Sequence, residues 1–375
     1  MKLLYVVYTK IPTVKAHGIQ IAKMCDEFAG QGMEVELLTA RSFSRPKEGL
    51  FDYYQLKNKF KVSQFLFFNP RHLGRLNLLI KITTFFFFVL PYILFKKADV
   101  IYIRGIYYCY LLSLFKNNFY LELHSAEGPN FLMRRILKKS RGIIAITQGI
   151  KDICTNNYLI PPAKIFVAPD GVDLKKFDIN ISCQQARKKL SLPLDKKIII
   201  YAGSFYIYDW KGIDVLLEAV QYFSSDHLFI LVGGKEKEIK QIKEKYNLDN
   251  ILLVAQKAHS QIPYYLKAAD VLVIPNKKGD SISEKYTSPL KMFEYMASQR
   301  PIVASDLPSI REVLNENNAV LVEPSNPQSL AQGMKIVLSD SILAQHISQR
   351  ALRDVQPYTW EKRAGGIVGF IRGTL

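Results

Sequence analysis

Short apolar runs alternate with helix-length amphipathic stretches along nearly the whole chain, and the alternation halts once and restarts. Leu3 to Tyr8 is the first run. Behind a Pro-containing loop, Gly18 opens a stretch with Ile19, Ala22, Cys25, Phe28 and Ala29 on one helical face, and Gly32 stops it before the run Val35 to Thr39. Run, helix and run in quick succession mark a right-handed βαβ unit of a parallel sheet. Val100 to Ile103, Phe119 to Leu123, Gly142 to Ile146 and Ile165 to Ala168 continue that sheet. The pattern restarts at Ile198 to Ala202, with a helix from Gly212 presenting Ile213, Leu216, Leu217 and Val220. Leu228 to Val232, Ile251 to Val254, Val271 to Ile274, Ile302 to Ala304 and Ala319 to Val322 supply its further strands. The polar stretch Pro169 to Pro193 reads as the linker. Single cores stop growing near ~250 residues, so a chain of 375 residues suits two doubly wound α/β domains and a cleft.

Net charge is +18 and unevenly spread: residues 1–170 carry 24 Lys and Arg against 11 Asp and Glu, whereas residues 171–375 carry 27 against 22. A front half of this sign attracts an anion, whether nucleic acid, anionic lipid or a phosphorylated substrate. No helix-turn-helix, zinc-finger or RNA-binding signature is present, so lipid or phosphate is the expected partner and nucleic acid is not. Leu78 to Phe95 holds Phe85 to Phe88 in a row and only Lys81 as a charge, flanked by Arg71, Arg75, Lys96 and Lys97. It reads as a buried helix or an in-plane membrane helix, and is marginal as a span. Cys25, Cys109, Cys154 and Cys183 lie far apart, without metal-site spacing or disulfide density, which suits a reducing compartment. Lys2 precedes only six apolar residues, too few for a secretion signal, so a cytoplasmic location is expected.

The stretch richest in chemistry is Ser288-Pro-Leu-Lys-Met-Phe-Glu294. Ser288 reads as an N-cap and Pro289 as the first helical residue. The free amides of Leu290 and Lys291 and the positive end of the helix dipole would then form an anion site at the carboxyl ends of the strands. Lys291 and Glu294 are three apart and share a face, putting a basic group near a phosphate and a carboxylate one turn deeper for ribose hydroxyls. Spacing alone fits equally well an ordinary capped helix with Glu294 in solvent. Lys211, in the loop after Ile198 to Ala202, could be solvated or could neutralise the same anion. Neither G-x-G-x-x-G after the first strand nor G-x-x-x-x-G-K-[ST] occurs, which argues against dinucleotide and Walker sites.

Ser288 to Glu294, with Tyr295-Met-Ala and Arg300-Pro-Ile-Val-Ala-Ser305, resembles the signature of retaining nucleotide-sugar glycosyltransferases of family 4, in a Ser-Pro-Leu-Lys branch, and the similarity runs over nearly the whole chain. That resemblance implies the GT-B fold: two facing Rossmann-like domains with a C-terminal crossover helix. It implies an acceptor-binding domain over 1–172, a nucleotide-sugar domain over 173–357, and residues 358–375, which begin at Tyr358-Thr-Trp360-Glu, packing back on the first domain. By the same resemblance Glu294 holds the donor ribose. The family's first glutamate falls on Tyr286; Glu284 is two positions off. Gly203-Ser204 and Lys211-Gly212 match a donor loop, with Ser204 where the family usually has Arg. His124, in Glu122-Leu-His124-Ser, matches a histidine that reaches the donor sugar, and Gly18 matches a loop glycine that lets donor or acceptor approach. The implied enzyme moves a sugar from a nucleotide diphosphate donor, without cofactor or metal, to a glycan or lipid-linked acceptor, with retained anomeric configuration. It would work in the cytoplasm, in peripheral contact with an anionic membrane. Two other readings remain open: a nucleotide-sugar 2-epimerase of similar architecture, and a non-catalytic nucleotide-binding peripheral membrane protein.

Overall fold

The computed structural model describes residues 1–41, 49–70, 76–127, 130–205, 209–246 and 249–374. It comprises two compact units, Met1–Asp170 with Trp360–Leu375, and Gly171–Thr359.

In the first unit seven strands form one parallel sheet: β1 Lys2–Lys10, β2 Glu34–Ala40, β3 Lys61–Phe65, β4 Val100–Arg104, β5 Phe119–Leu123, β6 Gly142–Ala145 and β7 Ile165–Val167. Their order is β3-β2-β1-β4-β5-β6-β7. The apolar runs become strands because residues buried on both sheet faces have no reason to alternate with polar ones. β3 was not anticipated: Lys-Val-Ser-Gln-Phe lies at the sheet edge, half-buried and too polar to register as a run.

Helix Ala16–Gly30 starts before Gly18 and buries more than one face, including Gln20, Lys23 and Asp26, while Ile19 and Ala29 are only half-buried. Asp26 is satisfied there by the amides of Lys57, at 3.1 Å, and Asn58, at 2.7 Å. Helix Leu76–Phe95 buries Ile82, Phe85, Phe86, Val89 and Ile93, and leaves Phe87 72% and Phe95 88% exposed. No described helix is long and apolar enough to cross a membrane. Arg71 and Arg75 lie outside the described residues. Helix Trp360–Thr374 belongs to this unit, with Phe370 stacked on Phe166 at 5.6 Å.

The second unit holds six parallel strands: β8 Lys197–Ala202, β9 His227–Gly234, β10 Ile251–Ala255, β11 Val271–Ile274, β12 Ile302–Ser305 and β13 Val320–Val322. The order is β10-β9-β8-β11-β12-β13. Pro169 to Pro193 is not a free linker. It carries helices Leu174–Phe177 and Cys183–Lys189, and Phe177, Ala186 and Leu192 are buried in this unit's core. Arg187 bonds Asp270 at 2.6 Å and the Ala268 carbonyl at 2.9 Å. Three well-spaced apolar side chains among polar ones anchor the segment without producing a visible period.

Candidate active site

In the second unit the turn after β8 gathers the charged groups. Gly203 has φ +154°, and a Cβ there would lie 2.9 Å from Lys291 Nζ and 3.0 Å from the Tyr201 hydroxyl. That hydroxyl donates to the Ser204 carbonyl at 3.2 Å. Lys211, at the end of the short turn Asp209–Lys211, donates from Nζ to Ser204 Oγ. The position of the turn depends on Gly212, whose φ is +65°; a Cβ there would fall 1.8 Å from the Pro275 carbonyl oxygen. Only glycine lets the segment after β11 lie against it.

Helix Leu290–Ala297 starts one residue later than expected. Pro289, extended at φ −76° and ψ 126°, is the N-cap, so Ser288 precedes the helix and does not cap it. Leu290 and Lys291 remain the first two helical residues, whose amides lack acceptors within the helix. The Lys291 side chain runs back to β8, where its Nζ sits 3.8 Å from the Tyr201 ring centroid, shielded from water and without a hydrogen-bond partner among the described residues. Burial holds this amine well below the usual lysine range; the nearby Lys211 adds to the effect and Glu294 opposes it. Lys211 is itself brought down to about 8 by burial, against the pull of Glu238.

Glu294 is buried at 8% exposure, and its Oε1 accepts from His259 Nε2 at 2.7 Å. His259 is a site residue that sequence reasoning missed: it lies 35 positions upstream, in the short turn His259–Gln261, with nothing local to single it out. Tyr286 closes a wide helical turn, Ile282–Tyr286, and is buried. Glu284 accepts from the Gly279 amide at 2.8 Å and so pins its own loop.

In the first unit a cavity of about 290 Å³ opens at the carboxyl ends of β1, β4 and β5, lined by His17, Arg104, Tyr108, Glu122, His124 and their neighbours. This is the end where open α/β sheets take ligands. Glu122 is its hub, accepting from Gln20 at 2.5 Å, Tyr102 at 2.6 Å, His124 Nε2 at 2.8 Å, Arg363 at 3.0 Å and Tyr5 at 3.2 Å. Burial would raise its carboxyl, but Arg363, the His124 bond and Arg104 outweigh that and hold it well below the usual range. Since a carboxylate only accepts, His124 carries its proton on Nε2 and turns Nδ1 toward Arg104 Nη2, 3.4 Å away. Burial first, and Arg104 second, bring the ring down to about 4, so it is neutral at physiological pH. At Gly18 the room a Cβ would need is filled by Thr13 and Tyr54, 2.4 and 2.6 Å away. Packing within the unit by itself requires a glycine at this position. His17 lines the same cavity; Arg104 and Arg363 were not anticipated, since their roles come from strand neighbours and a helix far along the chain.

The family model "Glycosyl transferases group 1" matches residues 183–354, and "Glycosyltransferase Family 4" matches residues 18–176. An uncharacterized glycosyltransferase of Methanocaldococcus jannaschii is 27% identical over 232 residues, covering 59% of this chain and 57% of its own length. A UDP-Gal:alpha-D-GlcNAc-diphosphoundecaprenol alpha-1,3-galactosyltransferase of Escherichia coli is 27% identical over 212 residues, 54% of this chain and 52% of its own. The putative teichuronic acid biosynthesis glycosyltransferase TuaC of Bacillus subtilis is 23% identical over 226 residues, 60% and 54%. The chain thus spans little more than half the length of these relatives. Among solved structures, sucrose-phosphate synthase from Thermosynechococcus elongatus superimposes with a TM-score of 0.81 at 20% identity, covering 99% of this chain and 98% of that one. HepE of Anabaena, solved in complex with UDP and glucose, gives 0.74 at 16% identity, with 100% of both chains covered. These likenesses establish a shared fold.

Proposed function

We propose that this chain, a GT-B protein of the glycosyltransferase group 1 and family 4 type, moves a sugar from a nucleotide diphosphate sugar to a glycan or lipid-linked acceptor with retained anomeric configuration. The observation that carries this reading is the convergence of Lys211 and Lys291 on the Gly203 turn, beside a helix whose Glu294 is buried one turn further in. Diphosphate charge is met by Lys211 and by the amides of Leu290 and Lys291, and ribose hydroxyls are accepted by Glu294. His259 holds that carboxylate in place before the donor arrives.

His124, by the resemblance its motif carries, is assigned to a sugar hydroxyl. Its neutral ring, protonated on Nε2 toward Glu122, offers Nδ1 as an acceptor for a sugar hydroxyl once Arg104 yields that position. Retention follows if the departing phosphate oxygen takes the acceptor's proton on the face it leaves. Lysine amines and helix amides serve where a metal would otherwise neutralise the leaving group. The names of the galactosyltransferase and teichuronic acid relatives support a lipid-linked or cell-surface glycan acceptor. The basic charge of residues 1–170 and the exposed Phe87 and Phe95 support work at the cytoplasmic face of an anionic membrane.

The test is release of free nucleotide diphosphate from a panel of UDP-, GDP- and ADP-sugars, with and without lipid-linked acceptors, and chromatography of the sugar product. Transfer that depends on acceptor, and that falls at least a hundredfold in Glu294→Ala and Lys211→Ala (about 2.7 kcal/mol of lost transition-state stabilisation), is the expected result. An epimerised sugar nucleotide released without acceptor, or binding with no turnover, overturns the proposal.

A further inference from the structure

Two amines meet at the turn after β8, and they are not equivalent. Lys211 has a hydroxyl partner in Ser204, whereas Lys291 Nζ rests on the face of Tyr201 without a polar partner among the described residues and out of reach of water. A cation–π contact offsets only part of the cost of a dry ammonium. Lys211 lies close enough for its charge to disfavour a proton on Lys291, and two like charges in a dry site are not readily held without a counter-ion. Facing Lys291 are Tyr201 from β8, Lys211 from the turn ahead of helix Ile213–Ala219, and Glu294 from its own helix; Glu294 is already engaged by His259. Facing Lys211 are Ser204, Trp210 and Glu238 of helix Glu236–Lys245. No carboxylate is within salt-bridge distance of Lys291 among the described residues, so a positive charge there must be balanced by something that binds.

We propose that the Lys291 side chain is a reserve cation of the donor site: it leaves the Tyr201 ring for the bound diphosphate, and donor binding is coupled to uptake of a proton by the Lys291–Lys211 pair. The inference rests on the donor-site reading above and adds to it a side chain that moves and a proton that binds with the ligand. Gly203 fits this picture, since a Cβ there would lie 2.9 Å from Nζ in its resting position and crowd the amine against Tyr201. Burial lowers both amines before the ligand arrives, which leaves room for that uptake near pH 8.

Calorimetric titration of the full chain with UDP, GDP and ADP at pH 8, in buffers of different ionisation enthalpy, reads affinity and proton uptake together. The wild type should take up protons as it binds whichever nucleotide it prefers. Lys291→Met should bind at least tenfold more weakly and take up less; Lys291→Arg, whose guanidinium is always charged, should bind within about threefold of wild type and also take up less. Melting temperatures identify a variant that has not folded, in which case the uptake of Lys291→Arg decides alone. Wild-type binding without uptake, or uptake unchanged in the variants, overturns the inference and leaves the donor-site reading intact. If no nucleotide diphosphate binds the wild type, that reading falls and the inference with it.

Discussion

Replacing Arg363 by methionine should lower the melting temperature of the first unit by roughly 6–20 °C at pH 8, and by clearly less at pH 5. Arg363 sits on the C-terminal helix at 6% exposure; its Nε donates to the Pro169 carbonyl at 2.9 Å and its Nη2 to Glu122 at 3.0 Å. Removing one partner of a buried ion pair costs about 3–5 kcal/mol because the other charge is left uncompensated. In a unit of this size each kcal/mol corresponds to about 2–4 °C.

The pH dependence follows from the sign of the Glu122 shift. In the wild type its carboxyl is depressed, so its contribution to stability is complete above the unfolded value and is lost only as pH falls through the lower folded one. Without Arg363 the largest of the influences that oppose burial is gone, and the carboxyl rises. The folded state then binds the extra proton, and the variant loses stability as pH climbs from the ordinary carboxylate range toward the raised value, at about 1.4 kcal/mol per unit. Calorimetric melts of both proteins at half-unit steps from pH 5 to 8 measure this directly. A variant within about 2 °C of wild type, or one offset equally at every pH, refutes the buried-pair account.

Gly212→Ala should destabilise the second unit by more than about 1–2 kcal/mol in urea titrations, because φ +65° and the Pro275 carbonyl both exclude a Cβ. Under the proposed function, His259→Leu should raise the KM for the donor severalfold, since it frees a carboxylate that donor hydroxyls must find in one orientation, and should cost about 1–3 kcal/mol in a urea titration because the buried Glu294 loses its partner. Phe87→Asp with Phe95→Asp should leave the melting temperature unchanged, as both rings are exposed, and weaken sedimentation with phosphatidylserine vesicles; equal sedimentation removes that helix from the membrane proposal.

The sheets were legible in the sequence because parallel strands buried on both faces read as unbroken apolar runs. Leu3 to Tyr8 and Ile198 to Ala202 announce β1 and β8 with no tertiary information. Glycines at strand ends and the short motif from Ser288 to Glu294 were visible because their constraints are local. Edge strand β3 was not, for Lys61 is exposed and the other four residues are only half-buried. Where the polar groups pair was also beyond reach: His259 with Glu294, Arg363 with Glu122 across 241 positions, Lys291 on Tyr201. Periodicity records which face of an element is apolar. Which two distant side chains share a dry space, and so which one keeps its proton, is decided only when the strands that carry them stand side by side.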